Sequence, residues 1–113
     1  MISLINCAYL ENVPVSLNQP DGYIIDCFAS GDEFYNYLHD SNGFTIIQST
    51  KDGYYYYADK IDNNITPSIY RIDDNINPNS LGLSPGIIIS KEEYIDRRNR
   101  WWNDIERVDT PTI

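Results

Sequence analysis

The stretch Gly31 to Ala58, GDEFYNYLHDSNGFTIIQSTKDGYYYYA, limits the possible folds more than any other part of the chain. Two turn signals divide it. Asp40-Ser41-Asn42-Gly43 contains Asn-Gly, which tolerates the positive φ of a tight hairpin, and Lys51-Asp52-Gly53 turns the chain again. Around them lie short runs rich in β-branched and aromatic residues, Glu33–Leu38, Phe44–Ser49 and Tyr54–Ala58. The spacing predicts three short strands. Glu33–Leu38 also fits a short helix, because its aromatic spacing is ambiguous.

The flanking residues extend the pattern. Val13, Val15 and Leu17 alternate with Pro14, Ser16 and Asn18, as a strand does. Gln19-Pro20-Asp21-Gly22 is a turn, and Tyr23–Phe28 returns from it as a second strand. Ala29-Ser30-Gly31-Asp32 is expected to break that hairpin. Asp59–Pro67 reads as a polar loop, Ser68–Ile72 as one more short strand, and Asp73–Pro85 as a long loop. Gly86–Ile89 is a candidate edge segment.

Ser90 to Arg107 carries helix signals. Ser90 and Glu93 form a capping box, and Glu92 and Glu93 suit the positive N-terminal end. Tyr94, Ile95, Trp101, Trp102, Ile105 and Val108 recur toward one side. Neighbouring positions sit about 100° apart on a helix, so Trp101 and Trp102 cannot both face inward. One anchors the helix and the other faces a boundary. The expected architecture is α+β: an antiparallel sheet built from hairpins, with one C-terminal amphipathic helix packed on a face. Residues 1–108 form a single module and 109–113 begin a linker.

The 113 residues suit one domain with a core of its own. With 17 acidic and 8 basic residues the net charge is −9, which repels phosphate backbones and argues against a nucleic-acid partner. The acids are scattered, as on a solubilising surface, and no Asp-x-Asp-x-Asp-Gly loop suggests calcium. No apolar run is long enough to span a membrane.

No catalytic set assembles from the sequence. His39 is the only histidine, and its place before a turn suggests a hydrogen bond to that turn. A zinc site from His39, Cys7 and Cys27 lacks a short chelating pair, so no metal or other cofactor is expected. Cys7 and Cys27 fit one disulfide in a secreted protein or two buried thiols in a cytosolic one. The neighbours Asp32/Glu33 and Asp73/Asp74 point to opposite faces if on strands, a poor acid/base geometry. The run Tyr54–Tyr57 places two rings on each strand face, one pair for the core and one for packing or contact with glycan or protein.

Several segments, taken in order, resemble a known arrangement: YLENVPVSLNQPDG at Tyr9–Gly22, ASGDEFYNYLHDSNGFTIIQ at Ala29–Gln48, DGYYYYA at Asp52–Ala58, and the late ISKEEYIDRRNRWW. They are similar to the N-terminal domain of secreted bacterial zinc metalloproteases of the immune inhibitor A type. The resemblance covers about Tyr9 to Trp102. It implies a secreted pro-domain, removed on maturation, whose partner is a metalloprotease domain downstream in the same precursor. The family's zinc-binding His-Glu-x-x-His motif has no counterpart here, so no protease residue carries over and the module itself is expected not to be an enzyme. Thr110-Pro111-Thr112 falls about where the family's linker begins. Latency would come from steric cover of the cleft or from a side chain on the zinc, with Cys7, Cys27, Asp26 and Asp32 as candidates. Tyr55, Tyr57 and Trp101 are candidate interface contacts. The competing expectation is an extracellular module that binds glycan or protein through exposed tyrosines. A cytosolic immunity-type protein opposing a basic toxin is a third.

Overall fold

The computed structural model of the chain describes residues 9–72 and 76–109. Among the described residues, six strands are followed by a short 3-10 helix and one α-helix. The strands are β1 (Leu10–Asn18), β2 (Ile24–Gly31), β3 (Asn36–His39), β4 (Thr45–Gln48), β5 (Tyr55–Ile61) and β6 (Asn64–Arg71). The 3-10 turn spans Pro78–Leu81 and helix α1 spans Lys91–Asp109. The sheet is an antiparallel meander in which every strand pairs with its sequence neighbours, in the order β1-β2-β3-β4-β5-β6. This is the α+β, hairpin-built architecture expected, with a single helix after the sheet.

The register explains the core. Leu17 faces Ile25, Val15 faces Cys27, and Leu38 pairs with both Ala29 and Ile46, so one sheet face carries the apolar set. Ile25, Cys27 and Ile46 form its buried centre, with Val15, Leu17, Leu38, Tyr55 and Ile72 packed against them. β3 and β4 share only two paired positions. The start of β5 meets the end of the β1 strand, where Gln19 bonds the Tyr55 main chain.

Four segments differ from the sequence reading. Ala29, Ser30 and Gly31 do not break the hairpin but complete β2. β3 starts at Asn36 rather than Glu33, because the Asp32 carboxylate accepts the N–H groups of Phe34 (2.9 Å) and Tyr35 (3.2 Å) and holds Asp32–Tyr35 in a turn. Asp59–Pro67 is not a loop. It is most of a β5–β6 hairpin around Asp62 and Asn63, both at positive φ (51° and 69°), the conformation of a two-residue primed turn. Pro67 is tolerated within β6 because that strand lies at the sheet edge. Gly86–Ile89 adds no strand. Its backbone is tied to the Gly43 carbonyl through the Gly86 N–H (2.9 Å), and its Ile87 carbonyl accepts the Thr45 hydroxyl (2.7 Å).

Helix α1 begins as its capping box requires. The Ser90 hydroxyl accepts the Glu93 N–H at 3.1 Å, and the Ser90 carbonyl accepts the Tyr94 N–H at 3.0 Å. The first turns dock on the β2–β3 turn. Phe34 meets Tyr94 and Trp101 edge-on, with ring centroids 6.0 and 5.4 Å apart, and the Arg97 guanidinium lies over the Tyr35 ring. Cys7, residues 73–75 of the long loop and residues 110–113 of the expected linker lie outside the described residues, as do the side chains of Ile105 and Val108.

Candidate functional site

The residues singled out from sequence fall in three environments. Cys27 is buried at 2% exposure in the centre of the core. Burial, and secondarily the Asp26 charge, push its thiol above the ordinary range. A thiol held neutral and enclosed is a poor zinc ligand in this fold. Asp26 faces solvent and accepts the Ser16 hydroxyl at 2.8 Å.

Asp32 is fully engaged. Besides the two backbone donors of its turn, its Oδ2 accepts the Tyr94 hydroxyl at 2.5 Å. Partial burial raises its affinity for a proton, but the bonds from Tyr94, Phe34 and Tyr35 outweigh that and hold the carboxyl below its usual range. Asp32 is thus the joint between the β2–β3 turn and α1, residues 62 positions apart in sequence.

The tyrosine run is mostly occupied. Tyr55 packs on the core. Tyr57 is buried at 8%, its hydroxyl donating to Asp40 Oδ2 at 3.4 Å. Tyr54 lies under the Arg71 guanidinium, and the Tyr56 hydroxyl donates to Asp52 at 2.6 Å. Trp101 is 36% exposed and Trp102 52%, edge to face with each other. With Phe34 they form an aromatic patch on the outer part of α1.

His39 and Ser30 make a pair that sequence reasoning did not bring together. The Ser30 hydroxyl lies 2.7 Å from His39 Nε2, and His39 Nδ1 lies 2.9 Å from the Asp40 carbonyl. The spacing matches a nucleophile and its base. The environment does not. Both residues are at least 94% buried, the His39 ring is enclosed by Phe28 and Tyr37, and the Ser30 oxygen already accepts the Asn12 N–H at 3.0 Å. That last bond pins the bulge where Asn12 takes positive φ at the start of β1. Ser30 and His39 therefore tie β1, β2 and β3 together. The pairing of β2 with β3 places them side by side, and only knowledge of that register could have revealed it.

Among the described residues no group of three His, Cys, Asp or Glu side chains converges as a metal site would, and no described helix is long and apolar enough to cross a membrane. Family models, curated proteins and solved structures gave no match to the chain.

Proposed function

We propose that this chain is a non-catalytic N-terminal pro-domain of a secreted zinc metalloprotease, covering the active-site cleft of the enzyme that follows it and assisting its folding. The observation that carries this reading is that the motifs behind the resemblance contact one another. Gln19 of the QPDG turn binds Tyr55 of DGYYYYA, Asp32 of ASGDEF meets Tyr94 of the late helix, and within the Ala29–Gln48 segment Ser30 meets His39 at the end of β3. Residues within those motifs help set the fold, which supports reading the resemblance as that of a whole domain. Steric cover is favoured over zinc ligation, because the Cys27 thiol is enclosed and the Asp32 carboxylate already accepts three hydrogen bonds. The Phe34–Trp101–Trp102 patch is the surface best suited to a partner, since exposed aromatic clusters mark contact sites.

The test is to add the purified chain to the mature zinc metalloprotease of the same precursor. Inhibition, together with improved refolding of the protease, is expected, and Trp101→Ala with Trp102→Ala weakens both. Absence of both effects overturns the proposal. Relief of inhibition by Asp26→Asn would replace steric cover by ligation. The alternative, an extracellular module binding glycan or protein through tyrosines, draws less support from residues 54–57, whose rings are already engaged. Glycan binding abolished by Tyr54→Ala and Tyr56→Ala would favour it.

A further inference from the structure

A cavity of about 280 Å³ lies where α1 meets the β2–β3 turn. Four phenol rings line it, those of Tyr9, Tyr35, Tyr37 and Tyr94. Ile88 and Ile89 add aliphatic wall, and Asp32 borders the cavity, its carboxylate turned into bonds with Tyr94, Phe34 and Tyr35. The rings are held in place. Tyr94 is fixed by donating to Asp32. Tyr35 and Tyr37 stack with centroids 5.8 Å apart. The cluster already holds one cation from within the chain, since the Arg97 guanidinium carbon lies 5.2 Å from the centre of the Tyr35 ring.

The chemistry of these walls selects a ligand class. Aromatic faces carry negative potential, so a cage of them with one ionised carboxylate attracts cations. A hard metal ion needs several oxygen ligands, and here one carboxylate already accepts three hydrogen bonds. A cation with its own apolar surface loses little on leaving water and gains contact with the rings. We propose that this cavity binds a compact alkylammonium group, a quaternary or methylated amine, caged by Tyr9, Tyr35, Tyr37 and Tyr94 with Asp32 as its counter-charge. Lys91 lines the cavity and Arg97 lies over the Tyr35 ring; both oppose the ligand's charge, and Lys91 sets the sign of one test.

The proposal is tested by titrating the isotope-labelled chain and following the backbone amides of Tyr35, Tyr37 and Tyr94. The probes are tetramethylammonium, choline and the neutral choline isostere 3,3-dimethyl-1-butanol. Both ammonium probes are expected to shift these amides saturably, with the neutral isostere about tenfold weaker. A peptide carrying trimethyl-lysine distinguishes the source: tighter binding than choline assigns a protein side chain, and weaker binding a free amine. Tyr9→Ala, at a position 55% exposed and outside the strands, should weaken binding about fivefold with the fold intact, and Lys91→Gln should tighten it. Equal binding of choline and its isostere, no saturable shift with either ammonium, or indifference to both substitutions overturns the proposal.

Discussion

The side-chain amide of Gln19 pairs with both main-chain groups of Tyr55: the Tyr55 N–H donates to Oε1 at 2.8 Å, and Nε2 donates to the Tyr55 carbonyl at 3.2 Å. Gln19 is only 2% exposed. A side chain here does what a neighbouring strand would do, and it fastens the first hairpin to the start of β5. Replacing Gln19 by Ala leaves the Tyr55 N–H without its partner, while the Tyr55 carbonyl keeps the Ile72 N–H at 3.1 Å. Stability is expected to fall by about 2 kcal/mol, read from urea unfolding followed by circular dichroism.

Gly31 ends β2 at φ +128°, and a Cβ there would lie 2.3 Å from the Tyr35 carbonyl oxygen and 2.6 Å from the Asn36 Cα. Both are backbone atoms and cannot swing aside. Gly31→Ala should lose at least about 3 kcal/mol. Gly22, at φ +95° with no atom within 4 Å of its would-be Cβ, isolates the dihedral cost alone, so Gly22→Ala should lose only about 1 kcal/mol. Thermal melts of the two variants give the comparison.

The bonds to Asp32 make stability depend on acid. Its folded carboxyl titrates below the ordinary 3.8, so the unfolded chain takes up the proton first as pH falls. The stabilisation is fully present above the unfolded value and is lost on acidification through the folded one. Urea midpoints should drop below about pH 4 in the wild type, and Tyr94→Phe should reduce the drop.

At high pH the sign reverses. Burial, then the Asp40 charge, pushes the Tyr57 hydroxyl from 10.0 up to about 12. Its contribution is complete below pH 10 and is lost as pH rises toward the folded value. Absorbance titration of the phenolates should show a late phase near pH 12, reduced in Tyr57→Phe; Tyr9, also raised to about 12, accounts for the rest of it.

Phe34 is the hinge of helix docking, since it touches both Tyr94 and Trp101. Phe34→Ala should free the outer helix. Iodide quenching of tryptophan fluorescence is expected to rise, with a stability loss of about 3 kcal/mol, at the low end for truncating a buried phenylalanine because Phe34 is only partly buried.

Some of this was legible because it is local. The glycines of the QPDG, DSNG and KDG turns all adopt positive φ, and Ser90 caps α1 through a neighbour three residues on. The Asp62–Asn63 turn was equally local but was hidden by a polar composition that suggests a loop. Its signal is two residues that tolerate positive φ, flanked by Ile61 and Ile65. The β3 boundary was missed because an Asp side chain outcompeted the strand ladder for two N–H groups.

The sequence by itself determined most of the turns, most of the extended segments and where the helix starts, because each depends on groups within a few residues. Only the tertiary structure decided which of those pieces meet. Gln19 and Tyr55 are 36 residues apart, and Asp32 and Tyr94 are 62 apart. The first contact exists because the start of β5 meets the turn after β1, and the second because α1 returns to the β2–β3 turn. The tyrosine cage is decided the same way. Its rings come from the segment before β1, the β2–β3 turn, β3 and α1, and their convergence depends on packing that no local pattern encodes.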